Sequence, residues 1–203
     1  MELLQQGAEA KLFRSEYLGR PCVVKQRQPK NYREKILDER ILRERIRTEC
    51  MLLSRAKKAG VRTPVVWKVD LGAKEITCEF VDGKTMKKEL LRGSANSLEY
   101  CKKAGEIVAR LHSCGIIHGD LTTSNIIIHN DGLVLLDFGL GRLAEKQEEF
   151  AVDLLVFKKT FAATHYRLEG GWDAVENAYI KAFSTGKSVV AHIGKIEARA
   201  RYY

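Results

Sequence analysis

The sequence predicts an α+β chain of two lobes, an antiparallel strand-rich front carrying one long helix and a helical back. Three observations carry this prediction. Strand-like alternation fills the first thirty residues and returns between 65 and 81, an amphipathic helical run occupies 31 to 58, and helical spacing takes over beyond Asp82-Gly83. The expected division is an N-lobe over 1–82, a C-lobe over 83–187 and a basic C-terminal tail over 188–203, hinged near residues 81 to 84.

In order, Leu12-Phe13, Tyr17-Leu18 and the β-branched run Cys22-Val23-Val24-Lys25 read as strand, with Gly19-Arg20 at the turn. From Asn31 to Lys58, Leu42, Ile46, Leu53 and Ala56 repeat at helical spacing with Glu49 and Leu52 beside them, and Gly60 is placed to close the helix as its C′ residue. Val65–Val69 and Glu75–Val81 are expected as two more strands, turning at Leu71-Gly72. Between Ala95 and Cys114, the residues Tyr100, Ala104, Ile107, Val108 and Leu111 form an apolar stripe. Another helix is expected by about Phe150, with room for three after Gly139.

The 203 residues carry 35 Lys/Arg against 26 Asp/Glu, a formal net charge of +9. That balance suits an anionic partner such as nucleic acid and disfavours a surface built for cationic substrates. The five cysteines show no C-x-x-C or Cys/His ligand spacing and are expected to be reduced, packed thiols of a cytosolic protein. Met1 to Ala10 lacks a basic region followed by an apolar one, and no run reaches the ~18 apolar residues of a membrane span. No membrane partner is therefore expected, and the localisation read from these features is cytoplasmic, or also nuclear in a eukaryote.

The chemistry-bearing string is His118-Gly119-Asp120-Leu121-Thr122-Thr123-Ser124-Asn125, followed by Asp137-Phe138-Gly139. Phosphoryl transfer needs positioning and charge neutralisation more than covalent chemistry, so a few charged residues at fixed places suffice. Asp120 is placed to accept or orient a hydroxyl proton, and Asn125 five positions on returns an amide oxygen to a metal, matching the H-R-D-x-x-x-x-N spacing. Asp137 ends the apolar strand Leu133-Val134-Leu135-Leu136, from which a carboxylate can hold Mg²⁺ against phosphates. Lys25, ending a β-branched strand, has the setting of the lysine that pairs α/β-phosphates, and Glu49 is placed to hold it. Together these residues indicate a minimal two-lobed protein-kinase-like fold using ATP and Mg²⁺.

Departures from an ordinary protein kinase are equally informative. The phosphate-covering loop, Gln5-Gln6-Gly7-Ala8-Glu9-Ala10, has one glycine where G-x-G-x-x-G has three, and Glu9 sets a carboxylate where phosphates should lie. Gly119 replaces the arginine of H-R-D, removing the partner of a phosphorylated activation loop. Thr122 stands where a lysine commonly touches the γ-phosphate. No A-P-E follows, so almost no peptide-docking segment is expected.

Nine Lys/Arg lie between Lys25 and Arg47, interleaved with Glu34, Asp38, Glu39 and Glu44, a mixture expected of a solvated helix face. At the C-terminus, Lys195, Arg199 and Arg201 precede Tyr202-Tyr203, the combination of cations and aromatics that contacts phosphates and stacks on bases.

The stretches Gly7-Ala8-Glu9-Ala10, Tyr32-Arg33, Arg47-Thr48-Glu49 and Gly60-Val61-Arg62-Thr63-Pro64, with the two catalytic strings, resemble the PRPK-type atypical kinases. These are the kinase subunits of the KEOPS/EKC complex, related to RIO kinases. The resemblance covers nearly the whole chain and is most specific in D-L-T-T-S-N and D-F-G-L-G. It departs at Glu34-Lys35, where members often carry His-Pro. It implies a Ser/Thr kinase or ATPase supporting threonylcarbamoyladenosine formation on tRNA, with ATP and metal roles at Lys25, Glu49, Asp120, Asn125 and Asp137. It also implies an ASKHA-fold threonylcarbamoyltransferase subunit on the C-lobe, a small subunit on the N-lobe, and tRNA engaged by the tail at Lys195, Arg199 and Arg201.

Three other readings compete. Aminoglycoside-phosphotransferase-type small-molecule kinases also use H-G-D, but the back half shows no obvious acidic patch for a cationic substrate. A nucleic-acid-binding scaffold would make the nucleotide site regulatory. A freestanding Ser/Thr protein kinase needs a peptide platform that Leu140 to Phe150 does not offer.

Overall fold

The first thirty residues form three antiparallel strands, β1 (Glu2–Gln6), β2 (Ala10–Tyr17) and β3 (Arg20–Arg27), the last two where strand signals were expected. The computed structural model describes residues 1–7, 9–130 and 132–200, the side chain of Ala200 apart. Tyr17 pairs with Arg20 across the two-residue loop Leu18-Gly19, so the turn falls one residue earlier than expected. Both loop residues have positive φ, which matches the right-handed twist of the flanking strands. β1 was not foreseen: Leu3-Leu4-Gln5-Gln6 has neither alternation nor β-branching, and it is an exposed edge strand held only by β2.

Helix α1 (Lys35–Lys58) follows, then β4 (Val66–Asp70) and β5 (Glu75–Glu79), which complete a sheet of order β1-β2-β3-β5-β4. The turn between β4 and β5 is fixed by Asp70 Oδ1, which accepts N–H bonds from Gly72 (3.1 Å) and Ala73 (2.9 Å). Burial follows the spacing read from the sequence: Leu42, Ile46, Glu49, Leu52, Leu53 and Ala56 share the inner face of α1. Each large aliphatic side chain so buried contributes roughly 1.5–3 kcal/mol. Arg55, Lys57 and Lys58 in the last turn complement the helix dipole.

Past Phe80 and Val81 the chain turns at Gly83, whose φ is 153° and where a Cβ would stand 2.3 Å from the Ile128 carbonyl oxygen. No side chain fits there, so the crossing between the two halves is set at a glycine. The back half contains β6 (Lys84–Thr85), α2 (Met86–Leu91), α3 (Ser97–Ser113), β7 (Ile116–Ile117), β8 (Ile126–His129), β9 (Gly132–Leu135), β10 (Arg142–Leu143), α4 (Glu148–Thr164), α5 (Gly171–Ala182) and α6 (Gly186–Ala200). β6-β8-β9 form one small sheet, and β10 pairs with β7 in another. A continuous apolar core runs from Leu52, Leu53 and Ala56 of α1 through Val108 and Leu111 of α3 to Leu154 and Phe157 of α4 and Val175 and Tyr179 of α5. The inner end of α1 therefore joins the front half to the back.

The segment expected as a basic tail over 188–203 is instead helix α6 up to Ala200. Val189 and Ile193 are buried, and Glu197 pairs with Lys158 of α4 at 2.9 Å. The apolar spacing Val189, Ile193, Ile196 already carries the helical period that docks it. No helix among the described residues is long and apolar enough to cross a membrane.

Candidate active site

Strand β3 alternates its side chains, so Cys22 and Val24 enter the core while Val23, Lys25 and Arg27 face the cleft between the halves. Lys25 Nζ lies 2.6 Å from Glu49 Oε1 of α1 and 2.6 Å from Asp137 Oδ1. Burial works against the Lys25 ammonium, but the two carboxylates outweigh it and hold its pKa above the ordinary lysine value. Partial burial likewise opposes the Asp137 charge. Lys25 and the Gly139 N–H (3.0 Å) overcome that and hold this carboxyl below the usual range. Asp137 itself has φ 53°, the left-handed conformation that Asp tolerates, as the chain leaves β9 for Phe138.

Within the His118–Asn125 string, Asn125 Nδ2 donates to the backbone carbonyl and to the Oδ2 of Asp120, both at 2.9 Å. This pins Asp120 and leaves the Asn125 amide oxygen as an acceptor. Among the described residues no cluster of three His, Cys, Asp or Glu could hold a metal. One carboxylate and one amide oxygen suit Mg²⁺ held jointly with a substrate's phosphates, which is how that ion commonly binds.

Burial pushes the pKa of His118 down, favouring the neutral ring. Its Nε2 donates to the Leu136 carbonyl (2.8 Å) while Nδ1 accepts the Asp120 N–H (3.3 Å), tying the string to the Asp137 turn. Gly119 has φ 81°, and a Cβ there would stand 2.4 Å from the Leu140 carbonyl oxygen. The position that holds arginine in H-R-D is therefore a backbone crossing here, and only glycine fits. Leu140 to Gln147 is held down at short range: β10 lies on β7, Arg142 pairs with Glu149, and the Glu149 carboxylate accepts the N–H groups of Glu145 and Lys146.

Several functional neighbours went unread in the sequence. Asp153 of α4, 2% exposed, accepts N–H bonds from His118 (2.8 Å) and Gly119 (2.9 Å), and its Oδ2 lies 3.2 Å from His112 Nε2. Burial opposes its charge, but the His112 contact and the His118 N–H bond hold its pKa low. Arg27 also meets Glu49, so one buried carboxylate serves two cations. Its signal was the i, i+2 spacing from Lys25. Arg45, four residues before Glu49 on the same face of α1, pairs with Glu9, and Lys30 lies 3.7 Å from the same carboxylate. Those cations resolve the conflict expected at Glu9. No sequence spacing could have revealed an ion pair that spans 36 residues.

Gly7 and Glu9 line the cleft with Lys25, Asp120 and Asp137, around a space of about 200 Å³. Ala8, between them, lies outside the described residues. An adjoining cavity of about 340 Å³ is bounded by Leu12, Val23, Cys78, Val81, Ile127 and Leu136, with Lys25, Asn125 and Asp137 at its polar end. An apolar slot opening on paired cations and carboxylates suits a flat base joined to a polyphosphate. Lys195 and Arg199 lie apart from this cleft, exposed one turn from each other on α6, and Arg201 lies outside the described residues.

Fold and cleft together define a protein-kinase-like chain. It belongs to the RIO domain family, whose match spans residues 10–155. The Rio2 kinase-ADP/Mg²⁺-phosphoaspartate complex from Chaetomium thermophilum aligns over 98% of this chain and 70% of its own, with a TM-score of 0.67 at 14% identity. WaaP in complex with acyl carrier protein aligns over 99% and 88%, with a TM-score of 0.66 at 15% identity. Among curated proteins, the probable bifunctional tRNA threonylcarbamoyladenosine biosynthesis protein of Methanothermobacter thermautotrophicus is 41% identical over 202 residues, 99% of this chain. The protein of the same name from Methanocaldococcus jannaschii is 36% identical over 201 residues, 98% of the chain. The chain spans only 36% and 37% of the lengths of these two relatives.

Proposed function

We propose that this chain is an ATP-dependent atypical kinase or ATPase that supports threonylcarbamoyladenosine modification of tRNA within a KEOPS/EKC-type complex. The observation that carries the reading is a cation, carboxylate and amide set at the cleft, Lys25, Glu49, Asp120, Asn125 and Asp137, beside a short Leu140–Gln147 segment held against β7 and Glu149. The names of the 36–41% identical relatives supply the tRNA context.

Residues 1–82 act as the N-lobe and 83–187 as the C-lobe. Lys25, steadied by Glu49, holds α/β-phosphates, with Gly7 and Glu9 in the loop above them. The Asp137 carboxylate and the Asn125 amide oxygen hold Mg²⁺. MgATP supplies the transferable phosphoryl group and the metal's neutralising charge. Asp120, fixed by Asn125, orients a Ser/Thr hydroxyl or a water as acceptor. An ASKHA-fold threonylcarbamoyltransferase subunit docks on the C-lobe and a small subunit on the N-lobe. Lys195, Arg199 and Arg201 engage the tRNA backbone.

Reconstitution with the ASKHA-fold partner and tRNA, read as modified nucleoside by mass spectrometry, tests the reading. Modification should require ATP and collapse with Asp120→Ala. Full modification with Asp120→Ala, or without this chain, would contradict it.

A further inference from the structure

Arg27 is 2% exposed and lines the polar end of the cleft, two residues along β3 from Lys25. A guanidinium carries five N–H donors, and a buried donor left unpaired is costly. Among the described residues this one makes a single hydrogen bond, from Nη2 to Glu49, while Nε is fully buried with no partner. Above it lies Gly139, where a Cβ would stand 3.3 Å from Arg27 Nη2, 3.3 Å from Lys25 Nζ and 2.8 Å from Asp137 Oδ1. The turn that follows the metal-binding carboxylate thus passes over Arg27 without a side chain in between. Arg27 and Lys25 are the only cations lining that end of the cleft among the described residues. Two usual sources of phosphate contact are weak here: the loop has one glycine, and Thr122 carries no charge.

We propose that Arg27 is a phosphate ligand for the terminal phosphate of a nucleoside triphosphate, its unpaired N–H donors being satisfied by phosphate oxygens while Nη2 stays on Glu49. The inference rests on the nucleotide-site reading above and deepens it. Lys25 then serves the inner phosphates and Arg27 the outer one, so a cation on the β3 floor does work that loop amides and a catalytic-loop lysine do elsewhere. Arg27 rather than lysine fits this task because its planar fork can hold a carboxylate and a phosphate on different edges at once.

The test is isothermal titration of the full chain with a magnesium complex of a non-hydrolysable ATP analogue and, separately, with MgADP, comparing wild type with Arg27→Met and Arg27→Lys. Charged hydrogen bonds of this kind set the expected loss: affinity for the triphosphate falls roughly 10- to 100-fold in Arg27→Met, while MgADP affinity changes less than about threefold. Arg27→Lys keeps a cation for Glu49 but loses Nε and the fork, and should lose at least about fivefold for the triphosphate alone. It carries the test if Arg27→Met fails to fold. Equal losses for both nucleotides would show that Arg27 acts only through Glu49 and Lys25 and would overturn the proposal, as would unchanged affinity for both. Wild-type protein that binds neither nucleotide would overturn the nucleotide-site reading, and the proposal with it.

Discussion

Glu49→Ala removes the single carboxylate on which Lys25 and Arg27 converge. Glu49 is 4% and Arg27 2% exposed at the side chain, and the Arg27 guanidinium would be left with no hydrogen bond among the described residues, while Lys25 keeps Asp137. Stripping one partner from a buried ion pair costs about 3–5 kcal/mol, and for a guanidinium only 2% exposed at the edge of the cleft we expect about 4 kcal/mol. For a chain of this size that corresponds to a fall in Tm of about 8–16 °C. Glu49→Gln keeps one carbonyl acceptor for Arg27 and should lose about half as much. The double variant Arg27→Met with Glu49→Leu removes the stranded guanidinium and leaves Lys25 paired with Asp137, and should recover most of the loss because apolar side chains of similar volume replace ion pairs well. Thermal unfolding followed by circular dichroism reads all three. A fall below about 3 °C for Glu49→Ala, or a double variant as unstable as the single one, would refute the picture of two cations on one buried carboxylate.

Other consequences follow from the same contacts. Asp153→Ala strands the His118 and Gly119 N–H groups and loosens the string that aims Asp120. Phosphate release should fall about 100-fold, the scale of an ångström's misplacement, with MgADP affinity little changed; an equal loss in affinity would show that Asp153 is merely structural. Desolvation pushes the Cys78 and Cys101 thiols up to about 12 and the Cys50 thiol up to about 11. At pH 7.5 these three should alkylate at least about tenfold more slowly in native protein than in urea, although Cys78 lines the cleft; rapid native labelling of Cys78, read by peptide mass spectrometry, would contradict this. The stabilising contribution of the Lys25–Asp137 contact should not vary between about pH 5 and 9. Asp137, with a lowered folded pKa, loses its share only as pH falls below the ordinary carboxylate range, and Lys25, with a raised one, only as pH climbs past the ordinary lysine value. A Tm difference between wild type and Lys25→Met that changes across that window would count against the pairing.

Local signals explain what could be read in advance. Asp120, Asn125 and Asp137 sit at fixed spacing beside apolar strands, so their chemistry survives in one dimension. The apolar periods of α1 and α3 did likewise, and both helices form within a few residues of where they were expected. What escaped was tertiary: Asp153 reaches the catalytic string from 34 and 35 residues away, and Arg45 meets Glu9 across 36. Pairing of this kind leaves no periodic trace. Strands β6, β7 and β10 are two residues each, too short for alternation to register. At the C-terminus the cations Lys195 and Arg199 share helix α6 with buried Val189 and Ile193 and half-buried Ile196, so charge composition alone does not register the docked face. Arg27 was legible in principle, since strand geometry alone puts it on the face of Lys25.

A magnesium-dependent ATP site at Lys25, Asp120, Asn125 and Asp137 is tested most directly by turnover of the purified chain with γ-labelled ATP, scoring released phosphate and autophosphorylation together. Slow turnover should appear with Mg²⁺, vanish on chelation by EDTA, and vanish in Asp137→Ala while the variant stays folded. Turnover that survives Asp137→Ala, or that needs no divalent cation, would contradict the claim.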